Sequence, residues 1–340
     1  MMRGIAIISI LVCHLLQFVN DKAGIGLSHY IFLTLSRGVE LFFILSALSL
    51  NESSNFLTKS SLQIYFLKRF FRIYPPYFFA IVITVGIHIL LGQRTNLDDL
   101  VHSASFTFGI SRAFHNHEII IGSWSLFCEL IFYLIFPIIA RLHWNRKRLT
   151  LLLISSLFIR FFWLYVADRL GISNLNEFRE LFPLSKFYAF VIGILIARRD
   201  LYFGHLFLFV STFTGMLTII FFQRLDISFF ILILGFILNV YFYRKLQMHD
   251  SKNRFRFLSQ IQSILRYFGL RTFTFYLYEF VALDILNILI SPIDSRGNFF
   301  ILSAITIFSL LIYSFSIFHK IETSSISIGK AIRRKYCHEN

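Results

Sequence analysis

Long apolar runs alternate with short polar segments along nearly the whole chain, and the runs are too long for strands. A helix needs about 20 mostly apolar residues to cross a bilayer core. Ten blocks meet or approach that length: 4–20, 30–50, 73–92, 120–140, 149–168, 184–197, 203–222, 227–243, 272–290 and 298–318. The sixth is short for a span and reads as tilted, broken or extended at one end. A transmembrane barrel would instead show short segments alternating between apolar and polar positions. The pattern predicts an all-α, polytopic membrane bundle of about ten helices. With no internal repeat and no low-complexity linker, residues 1–340 read as one domain. No appended soluble domain is expected, because the chain ends about twenty residues after the tenth block. The first block is not read as a cleaved signal: only Arg3 precedes it, it contains His14 and Gln17, and no small-residue cleavage site follows.

Composition sharpens this picture. The chain is 56% hydrophobic and 15% charged, with 44 Phe and a mean hydropathy of +0.69. That excludes disorder, collagen-like repeats and a compact cytosolic enzyme, since soluble domains are near a quarter charged. The net charge of +15 would suggest nucleic acid in a soluble protein. Here its distribution matters more. With the N-terminus placed in the cytoplasm and ten spans, inside segments carry 23 Lys and Arg and outside segments carry 8. This asymmetry follows the positive-inside rule and puts both termini inside; no nucleic-acid partner is needed to explain the charge. Cys13, Cys128 and Cys337 have neither metal-ligand spacing nor a disulfide framework, and the first two read as packing residues.

Ionisable residues inside membrane spans are costly and face a cavity or a partner. The blocks contain His14, Arg37, Glu40, His88, Glu129, Arg160, Glu279 and Asp284. At 1.5 Å per residue, His14 lies ~9 Å from the outer end of its block, Arg37 ~10 Å, Glu129 ~13 Å, Arg160 ~12 Å and Asp284 ~9 Å. Five groups from five helices thus fall in one outer layer. They are either pairwise salt bridges holding the bundle together or the lining of a polar cavity open to the outer face. Arg37 and Glu40, three apart on one helix face, read as a structural pair. His14 is the imidazole of the layer, and imidazole suits proton transfer near neutral pH. Toward the cytoplasm, Arg69 and Arg72 share a helix face at the start of the third block. Their forks suit either phosphate oxygens of a ligand or lipid head groups. His102, His115 and His117 lie in the loop 93–119, but two His at i, i+2 without a third ligand do not make a metal site, and no metal is expected. That loop is long enough to contact an acceptor.

Several stretches resemble membrane acyltransferase family 3. Arg3-Gly4-Ile5-Ala6-Ile7 running to His14 is similar to the family's opening, and Gly38-Val39-Glu40-Leu41-Phe42-Phe43-Ile44-Leu45-Ser46 to its second-span pattern. Arg69-x-x-Arg72-Ile73-Tyr74-Pro75 looks like its paired-arginine element, and Trp124-Ser125-Leu126-x-x-Glu129 with Phe132-Tyr133 and Phe136-Pro137 like its fourth-span element. Phe273-Thr274-Phe275-Tyr276-Leu277-Tyr278, Ile321-Glu322 and Gly329-Lys330 complete the order. The resemblance implies a ten-helix enzyme of the cell's inner (plasma) membrane. Such an enzyme takes an acyl group, commonly acetyl from cytoplasmic acetyl-CoA, and delivers it to a glycan hydroxyl at the outer face. It implies His14 as the catalytic residue and Arg69 and Arg72 on the coenzyme side.

On that basis Glu129 is expected to orient His14 or a donor group, and Ser125 or a nearby N–H to hold an oxyanion. His14 is expected to act either as general base or as a transient acyl carrier. Arg3, Arg37, Glu40, Ser125, Arg160 and Asp284 are expected around the substrate cavity. Three positions depart from the family pattern. Only Met1 and Met2 precede Arg3, where an acid is usual; Glu279 replaces a histidine in the ninth span; and Thr323 replaces a proline after the tail glutamate. The alternative class is a transporter or flippase for a lipid-linked glycan, which would show repeat symmetry or paired broken helices.

Overall fold

The structure, a computed structural model, describes residues 1–27, 29–53, 59–110, 118–142, 145–170, 180–197, 256–291, 293 and 297–338. Their regular secondary structure is helix, with no strand among the described residues. In chain order the α-helices are α1 (Met2–Ala23), α2 (His29–Ser36), α3 (Gly38–Ser53), α4 (Lys59–Leu90), α5 (Leu97–Ser105) and α6 (Trp124–Arg141). They continue with α7 (Arg146–Arg169), α8 (Pro183–Ala197), α9 (Arg256–Leu270), α10 (Thr272–Ile290), α11 (Asn298–Phe315) and α12 (His319–His338). Six helical segments are long and apolar enough to cross a membrane: Met2–Ala23, Leu62–Leu90, Trp124–Arg141, Lys147–Arg169, Thr272–Ile290 and Asn298–Ile332. Gly38–Asn51 and Pro183–Ala197 are shorter apolar helices. The blocks 203–222 and 227–243 lie outside the described residues, as do His115 and His117; the eight remaining blocks each fall on helix. The protein is a multi-pass membrane protein.

Three element boundaries differ from the sequence pattern. The second block is not one helix but breaks at Arg37, between α2 and α3. Gly38 opens α3 where it crosses α1, and a Cβ there would lie 2.7 Å from the Ala6 carbonyl oxygen. The third helix begins at Lys59, not at position 73, so Arg69 and Arg72 sit well inside α4 and not at its mouth. Apolar periodicity misses such an extension because its first turns are polar. The last helix bends through a short 3₁₀ turn, Ser316–Phe318, and continues as α12.

Two features of sequence explain how α12 docks. Pro75 and Pro76 lie inside α4. Pro75 has no N–H for the carbonyl four residues earlier, that of Phe71. The Ser325 hydroxyl of α12 donates to the Phe71 carbonyl and satisfies it. Gly329, one turn on, packs on the Phe71 side chain, where a Cβ would lie 2.9 Å from the Phe71 Cβ and 3.1 Å from the ring. Elsewhere α3 packs along α8 and α1 along α9. Small residues permit this approach, as is general between membrane helices: a Cβ on Gly193 would lie 2.2 Å from the Ile44 carbonyl oxygen, and one on Gly4 2.0 Å from that of Leu265. The phenylalanine surplus fills the interior. Phe190 of α8 stacks between Phe43 of α3 and Phe132 of α6, with ring centroids 4.6 and 4.1 Å away.

Candidate functional site

His14 faces α10, where Glu279 meets it: Nδ1 is 3.4 Å from Oε1. The Glu279 carboxylate is fully buried, and the Phe280 ring packs on the imidazole at 4.7 Å. Nδ1 is buried, whereas the His14 side chain as a whole is 25% exposed. With Nδ1 buried beside Glu279, Nε2 is the nitrogen left for exchange with a substrate. At this separation neither Nδ1 nor the Glu279 oxygens complete a hydrogen bond, so the carboxylate acts on the imidazole through its charge and favours the protonated ring.

The true end of α1 explains why depth counting did not place Glu279 beside His14. Helix α1 runs to Ala23, three residues past its block, which puts His14 ~13 Å from its C-terminal end. Glu279 lies ~16 Å from the end of α10 at Ile290, so the two are nearly level. The sequence signal was an acid in the ninth span; its partner could be named only by packing.

A separate cavity of about 90 Å³ is lined by Arg3, Arg72, Ser46, Ser125, Glu129 and Glu322, with Phe42, Phe43, Phe273 and Tyr276 among its apolar and aromatic walls. Ser46 donates to Glu129 at 2.6 Å and the Tyr133 hydroxyl donates to the same oxygen. Arg3 donates to Ser49 at 3.0 Å. Glu322 accepts from Thr274 at 3.3 Å and lies 3.1 Å from His319 Nδ1. Arg72 lines the cavity with Glu129 and Glu322 as its acidic neighbours. Arg69, three residues earlier, does not line it: its guanidinium lies over the Tyr65 and Tyr133 rings, 5.5 and 5.2 Å from their centroids. The arginine pair therefore divides, one fork open to the cavity and one packed on aromatic faces.

The expected single polar layer is not formed. Glu129 does not orient His14; it belongs to the Arg3 and Arg72 cavity, because Ser46 and Tyr133 hold it there. Arg37 and Glu40 pair at 3.1 Å, and Lys186 of α8 adds a second cation to Glu40 at 2.8 Å. Arg160 donates to the Ser185 carbonyl at 2.7 Å and pairs with Glu180 at 3.5 Å. Asp284 lies 3.7 Å from His88 Nε2. Of the six residues expected around the substrate cavity, Arg3 and Ser125 line it, and Arg37, Glu40, Arg160 and Asp284 do not. Arg37, Glu40 and Arg160 each find a counter-charge close by, which desolvation in the bilayer favours, whereas Asp284 has only the His88 imidazole beside it. Ser125 is also committed: its hydroxyl donates to Tyr276 Oη at 2.7 Å, and Tyr276 donates to the Gly122 carbonyl. Cys13 and Cys128 are buried packing residues.

Tyr276 links the two places. It lines the cavity, and Phe280, four residues on and on the same face of α10, packs on His14. Tyr276, Glu322, Ser46 and Tyr133 were visible in the sequence only as parts of family-like motifs, since aromatic and hydroxyl residues carry no polarity signal in an apolar run.

Comparison with known proteins bears on this arrangement. Residues 1–318 match the family described as the acyltransferase domain, acyltransferase family 3. The chain is similar to acyltransferase MdmB of Streptomyces mycarofaciens, at 28% identity over 219 residues, covering 58% of this chain and 55% of that one. The match thus spans about half the length of that curated relative. No solved structure matches. With an all-helical membrane bundle, a carboxylate-held histidine and a match over nearly the whole sequence, the chain belongs to acyltransferase family 3.

Proposed function

We propose that the protein is a membrane O-acyltransferase that moves an acyl group, acetyl in the first instance, from cytoplasmic acyl-CoA to a hydroxyl of a cell-surface or exported glycan. The reading includes ten spans with both termini inside and residence in the inner (plasma) membrane, supported by the distribution of Lys and Arg. The observation that carries it is a partly exposed His14 beside the buried Glu279 carboxylate, one turn of α10 from a cavity that Arg72 lines.

In this reading Arg72, with Arg3 beside it, attracts the anionic coenzyme at the inner cavity. The cavity is too small for a nucleotide, so it receives the acyl end of the donor. His14 Nε2 takes the proton of the acceptor hydroxyl as its oxygen attacks the thioester carbonyl; the C–O bond forms, the C–S bond breaks, and the proton passes to the departing coenzyme sulfur. Glu279 stabilises the imidazolium that forms in between.

The test uses membranes containing the protein, acetyl-CoA, and surface glycan from the host stripped of its esters by alkali. Release of coenzyme thiol together with new alkali-labile ester on the glycan is the expected result. His14→Gln keeps size and hydrogen bonding but cannot shuttle a proton, so it should release no thiol at unchanged protein level. An active Gln variant overturns the assignment.

A further inference from the structure

Helix α10 carries a second imidazole–carboxylate pair that the reaction just described does not use. Asp284 Oδ2 lies 3.7 Å from His88 Nε2 of α4, and the side chains are 38% and 21% exposed. Apart from Glu279, Asp284 is the acidic residue of a helix that is apolar over most of its length. A carboxylate so exposed at ~9 Å from the helix end at Ile290 is costly against lipid and stable only against water or a polar ligand.

Its position on the helix is informative. At about 100° per residue, Tyr276, Phe280, Asp284, Asn287 and Ser291 fall within an arc of ~80°. One stripe thus begins at the inner cavity with Tyr276 and passes His14 at Phe280. It becomes polar at Asp284 and continues through Asn287 and Ser291, both exposed, to the far end of α10. The polar half lies on the opposite side of His14 from Arg72. It has the composition of a carbohydrate subsite: a carboxylate able to accept from two hydroxyls, an imidazole able to give or accept one bond, and the half-buried Phe280 ring one turn before Asp284 on the same stripe.

We propose that Asp284 and His88 form the acceptor subsite, binding the sugar hydroxyls adjacent to the one acylated and bringing that hydroxyl to His14 Nε2. The carboxylate spans a vicinal diol, so the acceptor class is a glycan with two neighbouring free hydroxyls. The inference rests on the acyl-transfer reading and adds to it the face from which the acceptor enters.

The experiment separates the two. Membranes with the wild type, Asp284→Asn, His88→Gln and His14→Gln are given acetyl-CoA with and without the alkali-stripped host glycan. Ester on the glycan and coenzyme thiol released to water alone are both measured. Loss of a charged hydrogen-bond partner predicts at least a ~10-fold fall in glycan esterification for Asp284→Asn and His88→Gln. Thiol release without acceptor should stay within about twofold of wild type, as expected of residues that contact only the acceptor. His14→Gln should lose both. In intact cells, Asp284→Cys should react with a membrane-impermeant maleimide added outside, above the background of the parent's own cysteines, and the label should block esterification.

Wild-type esterification by Asp284→Asn overturns the subsite. So does equal loss of both activities at normal protein level, or no labelling of Asp284→Cys from outside. If the wild type neither releases thiol nor esterifies glycan, the acyl-transfer reading itself fails, and the labelling result alone then decides whether this stripe faces an outer aqueous vestibule.

Discussion

Glu279→Gln should separate activity from stability, with opposite signs. The carboxylate is fully buried and 3.4 Å from His14 Nδ1. At an effective dielectric of about 20, a full charge pair at that separation interacts by ~5 kcal/mol. This attraction is realised only when the imidazole becomes charged, during transfer. If half survives as a difference between neutral and protonated imidazole, the transition state loses ~2.5 kcal/mol, close to a 10²-fold fall in kcat. The amide is isosteric and keeps the packing against Phe280. It also removes a buried carboxylate, the desolvation of which opposes folding, so the variant should be as stable as the wild type or more so.

The assay pairs initial rates of coenzyme thiol release with thermal unfolding in detergent. The expected result is a large loss in kcat, little change in KM for acetyl-CoA, and a Tm that is unchanged or higher. Glu279→Asp, with a shorter arm, should retain an intermediate rate. A Gln variant within about threefold of wild-type kcat would refute the dyad, since a residue that merely packs cannot cost a decade of rate without a loss of fold.

Other perturbations test the inner cavity and the tail. Arg72→Ala should raise KM for acetyl-CoA by ~10-fold or more, and Arg72→Lys, which keeps the charge, should recover part of that loss. Arg69→Ala should instead lower the amount of folded protein with a smaller effect on KM, because its guanidinium stacks on Tyr65 and Tyr133 outside the cavity; equal KM effects for both arginines, measured on purified protein, would contradict that division. Ser325→Ala leaves the Phe71 carbonyl without its bond and should cost ~1–2 kcal/mol, seen as a lower Tm and faster proteolysis of α12.

The apolar blocks by themselves determined that this is a helical membrane protein, because crossing a bilayer imposes a minimum apolar length that no packing detail overrides. They located eight helical segments among the described residues, and the family-like motifs singled out His14, Arg72 and Glu129 one by one. The sequence could not say which of these meet. Depth along a helix fixes one coordinate of a side chain, whereas the partner depends on helix rotation and on true helix ends, and both are set by packing. Helix α1 ran three residues further than its apolar block, and that moved His14 level with Glu279. Glu129 matched His14 in estimated depth yet faces a different space, with Ser46 and Tyr133 holding it beside Arg3 and Arg72. The two arginines share one helix face by spacing, but only the position of Tyr65 and Tyr133 decides that Arg69 is stacked and Arg72 open. Tertiary structure alone also joined α12 to α4, because a carbonyl released by Pro75 finds its donor 254 residues away in sequence.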